Sequence, residues 1–208
     1  MKMINLTKKS LNSILNNIDD IENKKSLDIF AREGDWQTKI FIDMVNYNES
    51  WEINSTFVEN FKLNYPTYKI ICRDSIKYIN ESNENEVDKF DIVIVDNGLN
   101  CYGSDNQYCE HFDVIDNIYK FFNNNVFVIL NVVSSPFNYE KCLEWKNARE
   151  IFYESKNTDN LSIEFLTDFY KNKFFNMGYK SKNLYIEPRE MYDNKVYLYY
   201  FAFDLIKR

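Results

Sequence analysis

Four acidic residues recur along the chain at nearly even spacing. Asp28, Glu52, Asp74 and Asp96 lie 24, 22 and 22 residues apart. This spacing suits one strand followed by one helix, so the four carboxylates would lie at the same edge of a parallel sheet. Open α/β sheets bind their ligands at that edge. Carboxylates there accept hydrogen bonds from ribose hydroxyls and adenine amines, suit a cationic ligand and repel a pyrophosphate.

A second set of chemically capable side chains follows the fourth predicted strand. The loop after Asp96 is rich in hydrogen-bonding groups and ends with His111, just before a predicted helix. Histidine is the side chain best suited to take a proton near neutral pH. His111 and Asp96 are therefore the candidate catalytic residues, and a structural position of His111 at the helix start is the alternative.

The cysteines do not indicate a metal site. Cys72, Cys101, Cys109 and Cys142 show no CxxC spacing, and His111 is the single histidine of the chain. Zinc sites usually combine closely spaced cysteines and histidines. We therefore predict no metal and expect free thiols in a reducing compartment.

The elements that must position these side chains follow from apolar periodicity and from chain breakers. Strands are predicted at 26–30, 50–53, 68–72, 90–95, 126–133, 183–187 and 196–206. Helices are predicted at 5–22, 36–44, 56–64, after 74–75, and at 112–122, 140–153 and 161–176. Alternating helices and apolar strands predict a parallel sheet covered on both faces. The last two strands have no helix between them, which predicts an antiparallel hairpin at one edge.

Composition limits the class of protein. The chain has 208 residues, of which 45% are hydrophobic and 27% charged, so it can bury a large core and is not generally disordered. Its net charge of −7 argues against a nucleic-acid partner. The apolar runs are too short to cross a bilayer, and no signal peptide is evident at the N-terminus, so we predict no membrane contact and a cytoplasmic location.

Four segments resemble the class I S-adenosylmethionine-dependent methyltransferases. They are LDIFAREG at 27–34, WEI at 51–53, RDS at 73–75 and FDIVIVD at 90–96. The first resembles the family's glycine-rich motif in its Asp-x-Phe-Ala-Gly-x-Gly form, with Arg32 in place of the middle glycine. The resemblance implies a Rossmann-like three-layer α/β sandwich with a seven-stranded, mostly parallel sheet in the order 3-2-1-4-5-7-6 and an antiparallel C-terminal strand. It would form one domain over 1–208, with an N-terminal helix in 1–25.

The resemblance also implies S-adenosylmethionine as the cofactor. Asp28 and the 30–34 loop would contact its methionine end, Glu52 its ribose, and Asp74 with Ser75 its adenine. The residues implied to bind the cofactor are Asp28, Phe30, Ala31, Arg32, Gly34, Trp36, Glu52, Ile53, Asp74, Ser75 and Asp96. The methyl acceptor would lie against an acceptor-side loop at 97–112 and an insert at 154–180.

The expected function is methyl transfer to an oxygen or nitrogen of a small molecule. A catalytically inactive binding or partner protein is the alternative that Arg32 favours. A nucleic-acid methyltransferase is disfavoured because no prolines follow Asp96-Asn97, and a nicotinamide enzyme because 28–36 holds a single glycine. Aromatic residues at 165–175 leave a homodimer open, since they would serve either as core or as a subunit contact.

Overall fold

The computed structural model describes residues 3–97, 100–103, 105–136 and 142–208. A mixed sheet of eight strands forms its centre, in the order β1-β9-β10-β8-β5-β2-β3-β4. These strands are β1 (Met3–Asn5), β2 (Lys25–Ile29), β3 (Tyr47–Glu52), β4 (Lys69–Cys72), β5 (Phe90–Val95), β8 (Phe122–Val133), β9 (Tyr179–Tyr192) and β10 (Lys195–Lys207). The short strands β6 (Cys101–Tyr102) and β7 (Tyr108–Cys109) form a separate hairpin.

The central sheet has one strand more than expected. The strands β2, β3, β4, β5 and β8 pair in parallel, and β10 runs antiparallel to both of its neighbours, β8 and β9. The additional strand β1 pairs antiparallel with β9, from Met3 opposite Tyr192 to Asn5 opposite Glu190. The expected C-terminal hairpin is therefore present, but β1 covers its outer edge.

Helices cover both faces of the sheet, as the α/β interpretation requires. They are α1 (Thr7–Leu15), α2 (Thr38–Phe41), α3 (Ser55–Asn64), α4 (Ser75–Glu81), α5 (Phe112–Ile115), α6 (Leu143–Phe152) and α7 (Ile163–Asn176). On one face, Leu11 and Ile14 of α1 pack with Ile94 of β5. On the other, Leu166 of α7 packs with Val95 of β5. The three-layer α/β arrangement is confirmed.

Two helices begin directly after side-chain caps. The Asn54 side chain accepts a hydrogen bond from the Thr56 amide at 2.9 Å, and α3 begins directly after it. The Asp74 carboxylate accepts from the Lys77 amide at 3.0 Å, which caps α4. Each cap satisfies an amide that has no partner inside its helix, so the turns after β3 and β4 have fixed ends.

Two of the predicted helices are interrupted or shortened in the structure. The N-terminal helix expected within 1–25 is interrupted, since β1 precedes α1 and a 3₁₀ turn follows at Ile21–Asn23. The helix expected at 112–122 is the single turn α5 followed by a 3₁₀ turn at Ile118–Phe121, and β8 already begins at Phe122. The insert at 154–180 consists largely of α7 and reaches the start of β9. Positions 98, 99 and 104 of the acceptor-side loop, and 140–141 of the helix predicted over 140–153, lie outside the described residues.

Within the described residues, no helix combines the length and the apolar character needed to span a bilayer.

Candidate functional site

The loop after β2 has the backbone of a glycine-rich turn, although it contains one glycine. Phe30, Arg32 and Gly34 all have positive φ angles, of 66°, 52° and 77°. Residues other than glycine adopt this conformation at a cost of about 1–2 kcal/mol each. At Gly34 a Cβ atom would collide with the ring of Tyr65, so only glycine fits there. The loop therefore has the backbone conformation of a glycine-rich turn, but two of its three positive-φ residues, Phe30 and Arg32, carry side chains.

Glu52, at the end of β3, holds this loop in place. One carboxylate oxygen accepts a hydrogen bond from the Arg32 amide at 3.0 Å, and the other accepts from the Asn54 amide at 2.8 Å. The Glu52 side chain is buried. Bonds from backbone amides to a carboxylate are stronger than neutral ones. Glu52 therefore links the positive-φ turn to the segment that leads into α3.

Asp28 lies beneath the loop and is fully buried. Its oxygens accept hydrogen bonds from Gln37 Nε2 at 3.0 Å and from Thr38 Oγ1 at 2.5 Å, at the start of α2. Burial raises the pKa of Asp28 to about 7, and the two hydrogen bonds only partly oppose this shift. Asp28 therefore joins β2 to α2 and does not face the open edge of the sheet.

Asp96, directly after β5, takes part in a buried ion pair with Arg189 of β9. Arg189 Nη2 lies 3.0 Å from Asp96 Oδ1, and Arg189 Nε donates to Asp96 Oδ2 at 3.2 Å. The Tyr200 hydroxyl donates to the same Oδ2 at 2.5 Å. These contacts fix the carboxylate between the parallel strands and the C-terminal hairpin.

A cavity of about 230 Å³ opens between the loop and this ion pair. Its lining combines one aromatic wall, both arginines of the site and several polar groups: Phe30, Arg32, Trp36, Gln37, Asp96, Asn97 and Arg189. The Arg189 guanidinium lies 5.5 Å from the centre of the Trp36 ring, within cation–π range. The cavity lies at the carboxyl ends of β2 and β5, which is the ligand-binding edge of this type of sheet.

Comparisons with known proteins address the fold. No family model matches the chain, and no curated protein matches it. Solved structures do match. The N-methyltransferase NodS from Bradyrhizobium japonicum WM9 superposes with a TM-score of 0.57 at 10% identity, over 97% of this chain and 94% of that one. M. jannaschii TYW2 in complex with AdoMet superposes with a TM-score of 0.54 at 17% identity, over 96% of this chain and 76% of that one. A putative RNA methyltransferase from Pyrococcus horikoshii superposes with a TM-score of 0.51 at 14% identity, over 95% of this chain and 81% of that one.

This chain has the fold of the class I S-adenosylmethionine-dependent methyltransferases. In that fold, β2 to β5 end at or beside the four evenly spaced acidic residues, as the spacing predicts, although Asp28 is buried below the edge. Of the residues implied to bind the cofactor, Phe30, Arg32, Trp36 and Asp96 line the cavity. Ala31 and Gly34 of the same loop instead pack against α3.

The other end of this edge, beyond β3, is more open. Ile53 is 65% exposed and presents an apolar surface directly after Glu52. Asp74 is used as the cap of α4, and Ser75 is buried. The Arg73 guanidinium lies 3.9 Å from the centre of the Tyr78 ring, a contact that the sequence interpretation missed. The predicted adenine side therefore offers Ile53 as its most accessible surface.

His111 does not occupy the position that a catalytic base needs. Its side chain is fully buried, and Nε2 lies 2.7 Å from the Tyr170 hydroxyl of α7. The rings of Phe112 and Phe152 enclose it. Burial, followed by the nearby Arg149 charge, lowers the pKa of His111 to about 3. The role expected for His111 is thus unsupported, because a methyl acceptor would not reach it and an imidazole with so low a pKa is a weak base.

The sequence interpretation missed two buried ion pairs near this edge. One is Asp96–Arg189, and the other is Glu110–Arg149, whose Oε1 and Nη1 atoms lie 2.5 Å apart behind the cavity wall. Each joins residues that are far apart in sequence. No local signal points to either pair, because Arg149 and Arg189 lie in elements that contain several other charged residues. Within the described residues, no group of three or more His, Cys, Asp or Glu side chains is arranged to hold a metal ion.

Proposed function

We propose that this chain binds S-adenosylmethionine at the carboxyl edge of its sheet and transfers the methyl group to an oxygen or nitrogen of a small molecule. The observation that carries the proposal is the turn at 30–34. Three positive φ angles are retained there although two of the residues are not glycine. Strain of this kind persists where the surrounding structure requires it, and it is concentrated at ligand sites.

The residues present fit the cofactor. The Arg32 side chain is half-exposed at the rim of the cavity, where a guanidinium can pair with a carboxylate. Each oxygen of Glu52 accepts one backbone hydrogen bond and has a lone pair left for a hydroxyl group. Ile53 offers an exposed apolar surface on which a ring can pack. These three residues would hold the carboxylate, the ribose and the adenine, in that order.

The cofactor supplies a methyl group activated by a positively charged sulfur. The protein's contribution would be alignment of the methyl acceptor and exclusion of water. Arg189 and Tyr200 hold the Asp96 carboxylate in one orientation at the cavity wall. Asp96 Oδ2 already accepts two hydrogen bonds, whereas Oδ1 is ion-paired with Arg189 but accepts no hydrogen bond from the described residues. Asp96 is therefore better suited to orient an N–H or O–H group of the methyl acceptor than to remove its proton.

A small methyl acceptor fits the charge of the chain better than RNA. The net charge of −7 repels a polyanion. One structural neighbour is named as a putative RNA methyltransferase, so RNA belongs among the substrates to be tested. The cavity of about 230 Å³ accepts a compact group, and its walls include Trp36, against which a planar molecule can stack.

A binding or partner protein without methyl transfer is the second candidate. The Arg32 side chain favours it, because it lines the cavity where the glycine of the family motif would leave more room. In that case the cavity would hold the cofactor without admitting an acceptor, or would hold neither.

Transfer of labelled methyl groups distinguishes the two candidates. The protein would be incubated with methyl-labelled S-adenosylmethionine and separate pools of small phenols, amines, carboxylates and RNA, with cofactor binding measured in parallel by equilibrium dialysis. Label in a small-molecule pool supports the proposal. Binding without label in any pool supports the inactive alternative, label in RNA alone refutes the small-molecule acceptor, and absence of binding refutes both cofactor roles.

A further inference from the structure

Three of the four cysteines lie together beside the β6–β7 hairpin. Cys101 of β6 and Cys109 of β7 are directly opposite each other in the two-stranded ladder. Cys142, which precedes α6, also approaches Cys101, with the two sulfur atoms 3.5 Å apart. All three belong to one apolar cluster with Trp145 and Leu198. Residues from two distant parts of the sequence are thus brought within thiol–thiol contact.

We propose that Cys101 and Cys142 form a dithiol site that is converted to an intramolecular disulfide by a low-molecular-weight disulfide such as oxidised glutathione. The contact between their sulfur atoms carries the inference, since two sulfur atoms 3.5 Å apart need to approach by only about 1.5 Å to reach the length of a disulfide bond. Both cysteines are half-buried, so an oxidant has access to them, whereas Cys109 is buried.

The reaction would proceed by two thiol–disulfide exchanges. The Cys142 thiolate attacks one sulfur of the oxidant, a mixed disulfide forms, and one small thiol leaves. The Cys101 thiolate then attacks the Cys142 sulfur, the mixed bond breaks, and the second small thiol leaves. The protein loses two electrons and two protons, and the oxidant becomes two thiols. Cys142 reacts first because burial and the adjacent thiols raise the pKa of Cys101 above its usual range.

The bond would join the cavity wall to α6. Tyr102, next to Cys101, has its hydroxyl 3.1 Å from Asn97 Nδ2, and Asn97 lines the cavity. Cys142 leads directly into α6, whose Arg149 pairs with Glu110 after the hairpin. The dithiol therefore lies where the β6–β7 hairpin and α6 are already in contact, so we expect its oxidation to require little movement of the backbone.

The test counts thiols after oxidation of the folded protein. Wild type, Cys142→Ser and the control Cys72→Ser would be incubated with oxidised glutathione, quenched with acid, unfolded and titrated, and the linked peptides mapped by mass spectrometry. Cys72 is the matched control because it is an exposed cysteine at the end of β4, with its sulfur near the Ile53 carbonyl. We expect Cys72→Ser to fall from three thiols to one, and wild type to lose the same two thiols together with the exposed Cys72 thiol wherever that residue takes up glutathione.

The linked peptides must contain Cys101 and Cys142, and Cys142→Ser must form no intramolecular disulfide. Should Cys142→Ser not fold, as judged by circular dichroism of the reduced protein, Cys101→Ser provides the same comparison. A Cys101–Cys109 bond, glutathione adducts without an intramolecular bond, or equal disulfide formation in Cys142→Ser would each overturn the proposal. Oxidation in concentrated urea should give mainly mixed adducts, because the contact exists in the folded chain; equal disulfide yield there would also overturn it.

Discussion

Two clusters of buried polar side chains lie near the carboxyl edge of the sheet, and they differ in what they face. The Asp96–Arg189 pair lines a cavity, whereas the cluster of Glu110, His111 and Arg149 is enclosed by α6, α7 and aromatic rings. Both contain residue types that catalysis uses. Accessibility alone separates them, and it depends on how distant helices pack.

The comparison also shows two uses of buried charge. At the cavity, Arg189 keeps Asp96 in one orientation beside a space that a ligand can fill. In the enclosed cluster, Arg149 compensates Glu110, and both side chains are buried. The first cluster should therefore control ligand binding, and the second should control stability.

The largest expected effect is on stability, from breaking the enclosed pair. Arg149→Met leaves the Glu110 carboxylate buried without its partner, which should lower the free energy of unfolding by about 3–5 kcal/mol. Urea unfolding measures this change. The control is Lys156→Met, which removes an exposed pair with Glu150 and should leave stability nearly unchanged. Equal effects of the two substitutions would contradict the distinction between the clusters.

The next effect is on cofactor affinity, at the end of β3. Glu52→Gln should weaken S-adenosylhomocysteine binding about 10- to 100-fold, or about 1–3 kcal/mol, because a charged hydrogen-bond acceptor for the ribose and for the Arg32 amide is lost. Glu49→Gln is the control on the same strand, since Glu49 pairs with Lys69 and accepts a hydrogen bond from Trp51 Nε1. Calorimetry should find its affinity unchanged. Equal losses of affinity in both variants would mean that Glu52 affects binding by supporting β3 and does not contact the ligand.

A smaller effect concerns pH and the carboxyl under the loop. The pKa of Asp28 is raised in the folded state, so the folded chain holds a proton that the unfolded chain releases above about pH 4. Stability should therefore fall as pH rises from about 4 to 7 on account of this group. Asp28→Asn removes that loss and should be more stable than wild type by at least about 1 kcal/mol at pH 8. A stability difference that is the same at pH 4.5 and pH 8 would show that Asp28 is not protonated in the folded chain.

The smallest effect expected at the cavity is that of His111→Asn. Cofactor affinity in the folded variant should change by less than about twofold, or about 0.4 kcal/mol, because the ring is enclosed on the far side of the cavity wall. Stability should fall with the loss of the Tyr170 contact. A large loss of cofactor affinity with unchanged stability would indicate that His111 belongs to the binding site.

The strands were largely predictable from sequence, since β5 and β8 contain near-continuous apolar runs. The strand β1 was not, because three residues carry no period and their pairing depends on β9, more than 180 residues away. The predicted helix at 112–122 was too long because Phe121 and Phe122 suit a helix period and a strand equally well. Tertiary pairing with β5 decides in favour of the strand.

The candidate site was predictable in part, for a related reason. Local spacing placed Asp96 and the 30–34 loop at one edge. It carried no information on Arg189, which is 93 residues from Asp96 and meets it through the order of strands. The burial of His111 likewise depends on Tyr170 and Phe152, which belong to helices that follow β8. Cytoplasmic location, a single domain over the whole chain and a homodimer stay predictions.

Isothermal titration with S-adenosylhomocysteine tests the central claim most directly, because it needs no methyl acceptor. We expect a saturable heat with one site per chain, and a higher melting temperature that increases with ligand concentration. A titration without heat, together with an unchanged melting temperature at millimolar ligand, would contradict the account of the cavity as a cofactor site.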